Sequence, residues 1–75
     1  MAVTRHRIEI AARRAAEARR YIEEMRHRIA RLRESNADTA VADAELQAIA
    51  PVVERFEAYV NSLHIASTRG NAAGA

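Results

Sequence analysis

The sequence predicts an all-α chain folded as an antiparallel two-helix hairpin, coiled-coil-like in its packing, and three observations predict it. Apolar residues recur at alternating steps of three and four through two long segments. A single short cluster of turn formers separates those segments. When the chain is folded about that cluster, small apolar residues on one segment meet large ones on the other.

The first helix is expected from about Thr4 to Glu34. Its apolar phase is Ile8, Ala11, Ala15, Ala18, Ile22, Met25, Ile29 and Leu32, a heptad pattern without a break. Thr4 suits the N-cap, because its hydroxyl can accept a bond from an amide that the first turn leaves unpaired. The turn is expected at 35–38, where Asn36 suits the left-handed position that ends a helix and Asp38 suits the next N-cap. So short a loop makes its two helices antiparallel neighbours.

The second helix is expected from about Thr39 to Ile65, on the phase Ala42, Leu46, Ile49, Val53, Phe56, Val60 and Leu63. Pro51 falls inside it, where it removes one backbone hydrogen bond and crowds the carbonyl of Gln47. A kinked continuous helix competes with a break at which Pro51 opens a third helix. The apolar phase passes Pro51 unshifted and Ala50 is a poor cap, which favours the kink. The hairpin is thus expected over 1–66, and the tail 67–75, with little to bury, is expected to be disordered.

Folding about Ala37 pairs seam residues whose numbers sum to about 74. Leu32 meets Ala42, Ile29 meets Leu46, Met25 meets Ile49, and Ile22 meets Val53. Further along, Ala18 meets Phe56, Ala15 meets Val60, and Ala11 meets Leu63. The volume per layer stays even, as close packing requires. The same fold brings Arg19 near Glu57, Arg28 near Glu45, and Arg33 near Asp43. Up to Glu34 the chain carries ten Arg against five Glu, and from Ser35 onward two Arg against five acids, so a basic helix faces an acidic one within an overall charge of +2.

At 75 residues the chain is near the size at which one core becomes marginal. The absence of cysteine removes disulfides. His6, His27 and His64 lie too far apart in sequence for a structural metal site. Oligomerisation is the remaining route to a larger core, and the expected assembly is a homodimer of hairpins forming a four-helix bundle. No apolar run approaches the roughly 20 residues of a membrane-crossing helix, the longest stretch (48–53) carries Pro51, and no secretory signal opens the chain. The expectation is a cytoplasmic protein without a membrane partner. All twelve basic residues are Arg, which fits a GC-rich coding genome better than Arg-specific chemistry.

Three candidate sites follow. Outside the seam, Ile10, Tyr21, Val41, Ala48, Val52 and Tyr59 fall on one side of the two helices and form the candidate dimer or partner interface, since monomers rarely expose a large contiguous apolar patch. Arg13, Arg20 and Arg31 point away from the seam and are the candidate phosphate contacts of a nucleic-acid reading. Glu9, Glu17, Glu23 and Glu24 interleave the arginines, which favours a solvated helix face. Glu24 and His27 form one Glu-x-x-His step, but bundle metal sites need two such steps facing inward. No phosphate-binding loop, nucleophile elbow or buried carboxylate pair is expected. Neither enzymatic activity nor a cofactor is expected.

The stretch Arg26-His27-Arg28-Ile29-Ala30-Arg31-Leu32-Arg33, followed by Asp38-Thr39, Ala42, Leu46 and Arg55-Phe56-Glu57, resembles short two-helix proteins of GC-rich α-proteobacteria. The resemblance spans roughly residues 15–60 and departs at Asn36-Ala37, where that group usually has Gly and His, and at Pro51. It implies the hairpin fold but transfers no activity and no functional residue. In architecture the chain is also similar to Rop-like hairpins, which dimerise and bind paired RNA loops; that likeness is one of fold alone. The leading functional expectation is a non-enzymatic helical interaction module, an adaptor or regulator acting as a homodimer. A Rop-like RNA- or DNA-binding regulator using the Arg face is second, and a subunit of a larger complex would read the same way. Circular dichroism tests the fold: helix should dominate the spectrum, and a substantial strand signal would refute the hairpin.

Overall fold

The computed structural model describes residues 4–74, with side chains described as far as Arg69. It contains two α-helices, α1 (Arg5–Glu34) and α2 (Ala40–Gly74), packed against each other along one seam. Residues 1–3, included in the expected hairpin, lie outside the described residues.

Helix α1 starts where its cap dictates. Thr4 is extended (φ −69°, ψ 150°), and its hydroxyl accepts a bond from the Arg7 amide at 3.3 Å. At the other end Asn36 takes φ 59°, a left-handed conformation that Asn tolerates better than most residues. The Ala37 amide then reaches back to the Leu32 carbonyl at 2.9 Å, and the Asn36 amide to Arg33 at 3.0 Å. These two bonds satisfy carbonyls that the helix end leaves open, the arrangement of a Schellman cap. Arg31 and Arg33 place positive charge in the last turn, where the helix dipole favours it.

Helix α2 opens one residue later than the sequence suggests. The Asp38 carboxylate does cap it, accepting from the Ala40 amide at 2.9 Å, but the first helical carbonyl to accept is that of Thr39, from Asp43 at 2.8 Å. The helix runs through Pro51 without a break. Pro51 and Gln47 are both exposed, so water can serve the carbonyl that loses its partner.

The far end of α2 differs from the expectation. The helix continues beyond Ile65 to Gly74, so 67–74 of the tail expected to be disordered are helical, and Ala75 lies outside the described residues. The reason is a missed layer. Ile8 is buried to 4% exposure, and the pairing that sets Ile22 against Val53 sets Ile8 against Ser67, which is half-buried. Ser67 and Thr68 line a groove with Ile8, so α2 must remain ordered past Ile65 to cover that isoleucine.

The core is thin. Among the described residues it consists of Ile8, Ala15, Ile22, Met25 and Ile29 from α1 with Val53 and Val60 from α2. The molecule is a rod of 59 × 15 × 15 Å. Its radius of gyration is 17.2 Å, against about 11 Å for a compact domain of this length. Its accessible surface is 6045 Å², where a compact protein of 8.3 kDa would expose about 4,600 Å². Both comparisons describe a single layer of two helices with no second layer over it.

Ile22 sits at the centre of this core with no exposed surface. Ile22→Ala should therefore cost about 2–5 kcal/mol, read as a shift of the denaturant midpoint. An unchanged midpoint would show that the seam is not what holds the helices together.

Candidate functional site

With Ile8 at heptad position a, the seam consists of a and d positions, and two flanks border it: e on the a side, g on the d side. The structure treats the two flanks differently. On the e flank Ala12, Arg19, Asp43, Ala50 and Glu57 are half-buried, while Arg26, Arg33 and His64 are exposed. On the g flank Arg7, Arg14, Tyr21, Arg28, Glu45, Val52, Tyr59 and Ala66 are all exposed. The seam itself shows the same bias. Four of the five buried α1 residues and both buried α2 residues occupy a, while the d residues Ala11, Ala18, Leu32, Ala42, Ile49, Phe56 and Leu63 are only half-buried.

Ion pairs explain the closed flank. Arg19 donates to both carboxylate oxygens of Glu57, through Nε at 3.0 Å to Oε2 and through Nη2 to Oε1. Such a two-pronged pair is the geometry in which an Arg–carboxylate contact is strongest. Glu23 lies 3.9 Å from Arg19 and 2.9 Å from Arg26, extending the line of charge along the flank. Nearer the turn Arg33 reaches Asp43 at 3.2 Å, and Thr39 donates to the same carboxylate at 2.7 Å. Two of the three interhelical pairs read from the sequence therefore form. The third does not: Arg28 and Glu45 make no ion pair among the described residues. Both stand on the g flank, lining a shallow groove of about 340 Å³ with Tyr21, Glu24, Met25, Arg31 and Ala42.

The candidate interface lies on the open flank. Tyr21 is 49% exposed, Val52 59%, Tyr59 56% and Val41 74%; Ala48 is also exposed and Ile10 half-buried. Tyr21, Val52 and Tyr59 occupy g, and Ile10, Val41 and Ala48 occupy the adjoining c positions. Tyr59 stacks on Phe56, ring centroids 6.4 Å apart and planes at 27°, so the apolar surface of the flank continues into the seam. The sequence reading assigned Phe56, Ile49, Leu32 and Leu63 wholly to the seam. The structure leaves each of them half-open on the same side, a consequence of their d positions bordering g. Ile65 is exposed as well, at 46%, but stands on the outer face of α2.

Arg13 and Arg20 stand exposed on the outer face of α1, and Arg31 lies one step round toward the open flank. The three spread over about 27 Å of helix rise. His6, His27 and His64 are exposed, as is Glu24. Among the described residues no group of three His, Asp or Glu could hold a metal, no polar side chain is buried, and no helix is long and apolar enough to cross a membrane. Comparison with family models, characterised proteins and solved structures finds no match to the chain.

The Arg19 bond holds the Glu57 carboxyl below its ordinary range, and the same bond raises the Arg19 guanidinium. A carboxylate depressed in the folded state adds stability that is fully present above its unfolded pKa, about 4.3, and is lost as pH falls through the lower folded value. Glu57→Gln should therefore flatten the acid limb of a stability-against-pH curve measured by thermal melting. Superimposable acid limbs would show that the pair does not close the e flank in solution.

Proposed function

We propose that this chain is a non-enzymatic helical interaction module, an adaptor or regulator, that acts as a homodimer by closing two open flanks on each other. The supporting observation is the one-sided seam. Charges seal the e flank, whereas the g flank presents Tyr21, Val52 and Tyr59 beside half-buried Ile49, Phe56 and Leu63. A row of apolar side chains half-covered along one side is what a helix pair displays when a second layer belongs over it.

The area is adequate. The chain exposes about 1,400 Å² more than a compact protein of its mass, and a standard interface takes roughly 800 Å² from each partner. Two-fold symmetry makes such an interface self-complementary, with the same residues supplied from both chains. A four-helix bundle built in this way would bury the d layer that one hairpin leaves half-open.

Sedimentation equilibrium and thermal melting test the reading. Association should appear at micromolar concentration, with a melting temperature that rises as protein is added. Tyr59→Glu should weaken association tenfold or more, on the order of 1.4 kcal/mol, because it places a charge within the proposed apolar contact. Ala58→Glu, one residue away on the outer face of α2, should leave association unchanged. Equal effects of the two substitutions, or a concentration-independent monomer, would overturn the proposed interface.

A further inference from the structure

We infer that the two hairpins pair with their turns at the same end, α1 of each chain lying over α2 of its partner. The inference rests on the homodimer reading and specifies the partner's orientation. A flank that closes on a second copy of itself has two symmetric arrangements. A two-fold axis along the helices puts α1 over the partner's α2 with the turns together. An axis across the helices puts α1 over α1 and α2 over α2, with the turns at opposite ends.

The charges of the open flank separate these. On its g and c positions α1 carries Arg7, Arg14, Arg28 and Arg31 against Glu17 and Glu24, while α2 carries Glu45 against Arg55 and, at the end far from the turn, Arg69. Stacking α1 on α1 would set one basic helix on another across a partly desolvated contact, and like charges at an interface are costly. Stacking α1 on α2 instead sets the most basic face against a less basic one and brings Glu45, the one acid among the g and c positions of α2, to the arginines of α1.

The unclosed pair on this flank gives the second argument. On the e flank the cross-helix partners Arg19 and Glu57, and Arg33 and Asp43, bond within the hairpin. On the g flank Arg28, Arg31 and Glu45 share one groove and form no ion pair among the described residues. An axis parallel to the helices forbids sliding, so the register within the hairpin also sets the levels between chains. Arg28 and Arg31 then bracket the partner's Glu45, and Tyr21 comes level with the space between the partner's Val52 and the partner's Arg55. Ile10 comes level with the space between the partner's Ser62 and the partner's Ala66. Turn-to-turn pairing thus supplies from the partner the contact that the groove lacks within one chain.

The chain has no cysteine, so a single introduced cysteine carries a spin label cleanly. Ala37→Cys in the exposed loop is the first site, and Ala40→Cys, exposed at the start of α2, serves if the loop variant does not fold. Sedimentation establishes whether each labelled chain is dimeric, and pulsed electron paramagnetic resonance then reads the distance between the two labels. Neighbouring helices lie about 8–10 Å apart, and the two α2 helices, diagonal in this arrangement, about 13 Å apart, so turn-to-turn pairing predicts labels within about 30 Å at either site. A dimer with loop labels separated by about 45 Å, the length of α1, would overturn the orientation and leave the homodimer reading standing. A labelled chain that stays helical and monomeric at every concentration would overturn both, leaving the flank for a different protein or a nucleic acid.

Discussion

Everything in this molecule depends on a seam with only two walls. Two helices touch along one line, so each a or d side chain is covered by the opposite helix and by whichever flank leans over it. Here the e flank leans in. The Arg19–Glu57 pair, continued through Glu23 and Arg26, roofs the a layer. Beneath it Ile8, Ala15, Ile22, Val53 and Val60 are buried. The d layer has no such roof. Apart from the buried Met25, its residues belong by periodicity to the core yet remain half-exposed, and the functional reading grows from that ambiguity.

Much of this was legible in the sequence. The alternating three-and-four spacing placed both helices, and Asn36 marked the turn through its tolerance of positive φ. The size matching of Ala18 with Phe56 and of Ala15 with Val60 gave the register on which the Arg19–Glu57 and Arg33–Asp43 contacts depend. These features are local or pairwise, so a linear chain displays them directly.

Other features were not read because they depend on which neighbours a residue lacks. The sequence pattern ends α2 at Ile65 because the tail beyond it has little to bury, yet the same register sets Ser67 against Ile8. Alanine in the tail offers no resistance to helix, and a lone glycine such as Gly70 costs only about 1 kcal/mol there. Arg28 and Glu45 looked like a third ion pair because charge and spacing agree, but spacing does not reveal that their flank is the open one. The sequence pattern groups the candidate interface residues on one side, whereas the continuity of that flank with Phe56 and the d layer appears only with side-chain exposure.

The chain's two tyrosines, Tyr21 and Tyr59, both stand on the open flank and on different helices, so their rings report on that surface and no other. The most direct test of the account is the relaxation of their ring protons by an inert soluble paramagnetic probe, followed by nuclear magnetic resonance through a dilution series. If the flank closes on a second copy, both rings should be shielded at high concentration and become accessible together on dilution, while the helical signal weakens in parallel. Two rings equally accessible at every concentration, in a chain that stays helical throughout, would contradict the claim that this flank is an interface.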